Sequence, residues 1–146
     1  MKRFIVLILF LVQHSLFSQE NLFFERPPLF PDCEDLSLQL QQKCFDKTVF
    51  KLIKEYVKVT QIIIDVNYQG EAVILFEVDT VGQCKVIYVD AMYDDLKAET
   101  KRVFSKFPQI KPGTYNGKPT YKQYSIQVKI PLDNQIFSTV DLRKEG

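Results

Sequence analysis

The sequence predicts an α+β domain: an antiparallel sheet of about three strands with two helices packed on one face. Three observations carry this. Apolar residues recur at helical spacing in two separate stretches, 45–57 and 94–107. Two short apolar runs, 71–79 and 84–90, flank a glycine-containing turn and read as a hairpin. A third run, 120–130, alternates almost without fault after two turn pairs.

The first 18 residues read as a secretory signal. Lys2 and Arg3 precede an unbroken apolar run of nine, Phe4 to Val12, and the small Ser18 stands before Gln19. An uncleaved inner-membrane anchor is the alternative, but the run is well short of the ~20 apolar residues that a spanning helix needs. The expected location is therefore periplasmic or secreted. Removing 1–18 takes away Lys2 and Arg3 and leaves 17 basic and 18 acidic residues. That balance does not favour nucleic acid or an anionic membrane. It also removes His14, the only histidine, and with it the commonest general base and metal ligand. We expect no enzyme activity, no metal, no cofactor and no small-molecule substrate.

Residues 19–45 read as an extended lead-in, with Phe23, Phe24 and the prolines 27, 28 and 31. In an oxidising compartment Cys33 and Cys44 are the expected disulfide. One continuous helix would hold their Cα atoms ~16 Å apart, whereas a disulfide wants about 5.5–6 Å. The chain must therefore fold back between them. Cys84 is left over, either as a buried strand thiol or, as the nucleophile of a thiol enzyme, exposed with a depressed pKa.

The domain proper is expected over 46–131. Phe45, Val49, Leu52, Ile53 and Tyr56 predict a helix over 46–57, with Asp46 as candidate cap. The β-branched VTQIIIDV at 59–66 predicts extended chain. In the first hairpin strand Ala72, Ile74, Phe76 and Val78 share one face. Val73 and Leu75 make the other face partly apolar. Gly82 in the DTVGQ turn is free to take positive φ. A second helix runs from Asp94, where Asp94 and Asp95 suit the N-terminus, to Phe107, and Pro108 stops it.

Pro112-Gly113 and Asn116-Gly117 are turn pairs. The strand that follows directs Lys122, Tyr124, Ile126, Val128 and Ile130 one way and Tyr121, Gln123, Ser125, Gln127 and Lys129 the other. That polar side is either a solvated face or a contact face. Tyr115, Tyr121 and Tyr124 near the turns have the same two readings. The tail, 132–146, has mixed composition and predicts little order.

The stretch 70–131 resembles the C-terminal domain of the TonB energy transducers. The matching features are Gly70 opening a strand and strand–DxxG–strand with Asp79 to Gly82. A helix then closes on Phe107-Pro108, followed by KPG at 111–113, NGKP at 116–119 and a last strand reaching IPL at 130–132. FPDCE at 30–34 and KCF at 43–45 resemble the lead-in of its envelope versions. The resemblance implies a periplasmic protein-binding domain serving transmembrane transport. Such a domain captures an extended segment of an outer-membrane receptor, or another envelope protein, by adding it to a sheet edge. Carried over, the edge is 121–129, with Tyr121, Gln123, Tyr124, Ser125, Gln127 and Lys129 as contact residues. The alternative is an accessory or structural envelope module that self-associates as a homodimer or begins a longer secreted protein.

Overall fold

The computed structural model describes residues 24–58, 61–132 and 140–141. The expected signal peptide lies outside them, as does most of the expected tail. Among the described residues, no helix is long and apolar enough to cross a membrane. The architecture is α+β.

The chain opens with strand β1, Glu25–Arg26, and a 3₁₀ turn over Pro31–Cys33. Helix α1 spans Leu38–Tyr56, eight residues longer at its start than the apolar spacing predicts. Ser37 is its N-cap: the Leu40 and Gln41 amides donate to the Ser37 carbonyl. Asp46 is not the cap. It is buried inside the helix and accepts a bond from Gln42. The fold-back needed by the disulfide occupies 34–37, which brings Cys33 and Cys44 to a Cα separation of 5.8 Å and joins them covalently.

A second helix, α2, covers Gln61–Asp65 and corrects the extended chain expected there. Ile63 is buried while Ile64 is exposed, and the Tyr68 amide donates back to the Ile63 carbonyl. Burial of one isoleucine in a tight turn outweighs a weak β preference.

The main sheet is antiparallel, in the order β3-β2-β6-β7, with β2 Gly70–Val78, β3 Cys84–Asp90, β6 Lys122–Ile130 and β7 Val140–Asp141. A small sheet, β1-β4-β5, adds Thr114–Tyr115 and Lys118–Pro119. Helix α3, Asp94–Phe104, stops three residues before the expected end.

Both long helices cover one face of the main sheet. Phe45 of α1 lies 5.0 Å from Tyr124 of β6, and Phe104 of α3 lies 5.0 Å from Phe76 of β2 (ring centroids). Phe45, Val49, Phe76, Val78 and Tyr124 are fully buried together. At about 25 cal/mol per Å² of apolar surface, side chains of this kind contribute roughly 1.5–3 kcal/mol each. Leu29, Phe30 and Cys33 belong to the same core, so packing reaches well before residue 46.

Candidate functional site

The predicted contact strand is β6. Its register against β2 runs unbroken over nine pairs, from Gly70↔Ile130 to Val78↔Lys122. Alternation decides its burial: Lys122, Tyr124, Ile126 and Val128 are inside, while Gln123, Gln127 and Lys129 are exposed and Ser125 is half-buried. Tyr121 stands just before the strand and is exposed. These five polar-side residues share the helix-free face, where Gln127 donates to the Glu71 carboxylate. Tyr124 does not join them. It has no exposed surface and packs between Phe45 and Phe76, so it leaves the contact set.

The other border of β6 departs from expectation. There β7 pairs antiparallel through Tyr124↔Asp141 and Ser125↔Val140. The strand is therefore not outermost: among the described residues, Tyr124 and Ser125 have strand neighbours on both sides.

The opposite border of the sheet is β3, whose only strand partner among the described residues is β2. Its register jumps: Leu75 faces Tyr88, but Phe76 faces Val86, leaving Ile87 as a bulge. Bulges bend and twist an edge and weaken it as a template. The bulge also leaves Ile87 and Tyr88 both exposed, near the exposed Val73. Sequence reasoning found Val73 and Leu75 but not this pair, because alternation carries no sign of an extra residue.

The KPG and NGKP segments grip the lead-in. Lys111 and Leu29 exchange both main-chain hydrogen bonds, at 3.0 Å each, and Lys111 Nζ lies 3.0 Å from Glu34. Asn116 and Gly117 take φ of 49° and 77° to close the β4–β5 hairpin, as an Asn-Gly turn should. The Asn116 amide donates to the Phe24 carbonyl, and its side-chain oxygen accepts from the Phe24 amide. Gly113 is buried, and a Cβ there would stand 2.8 Å from the Lys122 stem. Lys122 is itself buried and paired with Glu25 of β1. A buried ammonium is tolerated only with such a partner.

Asp79 organises the β2–β3 turn. Its Oδ1 accepts from the Val81 and Gln83 amides, and Oδ2 lies 2.8 Å from Lys85 Nζ. The Lys85 ammonium first, then the Gln83 amide, hold its carboxyl below the usual carboxylate range. Cys84 follows the turn. Burial, with the Asp79 charge second, pushes its thiol up to about 12. A thiol kept protonated is poorly suited to nucleophilic attack.

A cavity of about 360 Å³ opens between α1, α2, α3 and the sheet, lined by Ile53, Ile63, Ile74, Val103 and Val128 among others. Its lining is mostly apolar, and Glu99 at its side is bound to Arg102 and the Lys58 amide. No group of three His, Cys, Asp or Glu able to hold a metal occurs among the described residues. No family model, no curated protein and no solved structure matches this chain.

Proposed function

We propose that the chain is a TonB-like, periplasmic protein-binding domain that captures an extended segment of an outer-membrane receptor or other envelope protein at the outer border of β6. One observation carries the reading. The β6 strand is regular over nine residues and already receives a second strand on the border away from β2. An added strand would gain main-chain hydrogen bonds there, and Tyr121, Gln123, Ser125, Gln127 and Lys129 would meet its side chains on the helix-free face. The disulfide is compatible with an oxidising compartment, and the expected signal peptide supplies the route. The test is an NMR titration with peptides copying the N-terminal segments of outer-membrane receptors. We expect shifts along 121–130 and none along β3. Silence of 121–130 at millimolar peptide would end the proposal.

A second reading has its own observation: Val73, Ile87 and Tyr88 expose apolar surface on or beside the helix-free face. They suit self-association of an accessory envelope module. Light scattering separates the two, since a dimer abolished by Tyr88→Lys would favour this reading.

A further inference from the structure

From the distribution of charge over the helix layer we infer that the outer face of α1 is a membrane-docking surface, which rests the domain on a bilayer containing anionic phospholipid. The inference does not depend on strand capture. The balance of the whole chain hides it. The stretches 38–58 and 94–106, which hold α1 and α3, carry nine basic and five acidic residues. The chain after residue 18 carries 17 and 18.

At about 100° per residue, Leu40, Lys43, Lys47, Lys51 and Lys54 fall within about 80° of arc on α1. Phe45, Val49 and Ile53, all buried, mark the opposite side. The five therefore point away from the sheet, and all are exposed. None of the ion pairs among the described residues involves Lys43, Lys47 or Lys51. The stripe holds no carboxylate: Asp46 is buried, and Glu55 lies beside its end. A helix face built only for water commonly mixes signs in i,i+4 pairs. Here four lysines span about 16 Å without one.

Two observations select a bilayer over an acidic protein. Leu36, Leu38 and Leu40 are 38%, 41% and 51% exposed at one end of the stripe, inside the loop that the disulfide closes. Leucine beside lysine suits the boundary between headgroups and acyl chains, where lysine stems lie along apolar surface and their ammonium groups reach the phosphates. On the neighbouring helix layer Lys101 and Lys106 are also exposed, and Lys106 lies 5.9 Å from the Tyr56 ring of α1, which widens the stripe into a patch. Of the carboxylates near the leucines, Glu34 is held by Lys111, while Asp32 and Asp35 are exposed and oppose the approach of that end. Docked in this way, the domain turns its helix-free face away from the bilayer.

The experiment sediments the exported chain with vesicles of phosphatidylglycerol and phosphatidylcholine, or of phosphatidylcholine alone. We expect binding to the first only, weakening as salt is raised. Lys47→Gln and Lys51→Gln should each weaken it about fivefold. Lys85→Gln loses the same charge but should leave binding unchanged, because Lys85 pairs with Glu77 on the helix-free side. The chain has no tryptophan, so Leu40→Trp reports contact directly: its emission should shift to the blue with anionic vesicles, and that of Tyr88→Trp should not. Equal losses from Lys47→Gln and Lys85→Gln would reduce the effect to net charge and overturn the inference. Binding to neither vesicle would overturn it too, as would capture by polyglutamate in place of vesicles, which would assign the stripe to an acidic protein. All the substituted side chains are exposed, so the variants keep the fold. Strand capture stands or falls separately, on the receptor peptides.

Discussion

The two borders of the main sheet are built differently. At one, β3 carries a bulge at Ile87 and lies close to α3. At the other, β6 is straight in register and holds a two-residue strand from its own chain. The first edge is protected by irregularity, which is permanent. The second is covered, at Tyr124 and Ser125, by a strand of the same chain. A border of the second kind is the one on which the proposed strand capture depends, because its own ladder to β2 is regular throughout.

The largest expected effect breaks the comparison by removing one border altogether. Gly82 has φ of +84°, and a Cβ there would collide with the Ile110 carbonyl. Gly82→Ala should destabilise the fold by at least about 2 kcal/mol in chemical denaturation. An unchanged midpoint would mean that the β2–β3 turn tolerates a shift that the packing around Ile110 forbids.

Deleting Ile87 sharpens the comparison. Val86, Tyr88 and Val89 would then alternate inward, outward, inward, and β3 would become a regular exposed strand. We expect self-association to strengthen about tenfold, or ~1.4 kcal/mol, by sedimentation or light scattering. A variant that stays as monodisperse as its parent would show that the bulge does not guard this edge.

The smallest effect concerns the charge at the foot of β3. The Asp79 carboxyl has its pKa depressed in the folded state. Its contribution is therefore fully present above the unfolded aspartate value, near 3.9, and is lost as pH falls through the folded value. Asp79→Asn should cost under ~1 kcal/mol near neutrality, since Lys85 is half exposed. The stability curves of parent and variant should converge as pH falls below about 4. Curves that stay parallel to pH 2 would assign the loss to turn geometry instead of charge.

Much of this was legible in the sequence. Period-two alternation named β2, β3 and β6, and Gly82 and Asn116-Gly117 marked their turns, because those signals are local. The same alternation had already grouped Tyr124 with Ile126 and Val128. Its burial follows from that pattern, so counting it as a contact residue set proximity to the turns above facing. The disulfide was legible from compartment and count. What escaped was non-local or contrary to propensity. The isoleucines of 61–65 form a helical turn that buries Ile63 at the wall of the cavity. The start of α1 at Leu38 was hidden by the fold-back, which needs only four residues. Two-residue strands such as β1 and β7 have no periodicity to read. Their existence depends on Lys111 to Asn116 in one case and on Tyr124 and Ser125 in the other.

The covalent link between Cys33 and Cys44 also fixes how the molecule would carry load. Tension applied at Phe24 would first shear the short β1–β4 contact, then part Leu29 from Lys111 and draw Leu29 and Phe30 out of the core, along a segment whose full reach to Cys33 is roughly 35 Å. There it would meet a bond that does not yield, and the pull would pass directly into the second turn of α1 at Cys44. The slack ahead of the bond is therefore short, and it is released only as Leu29 and Phe30 leave the core.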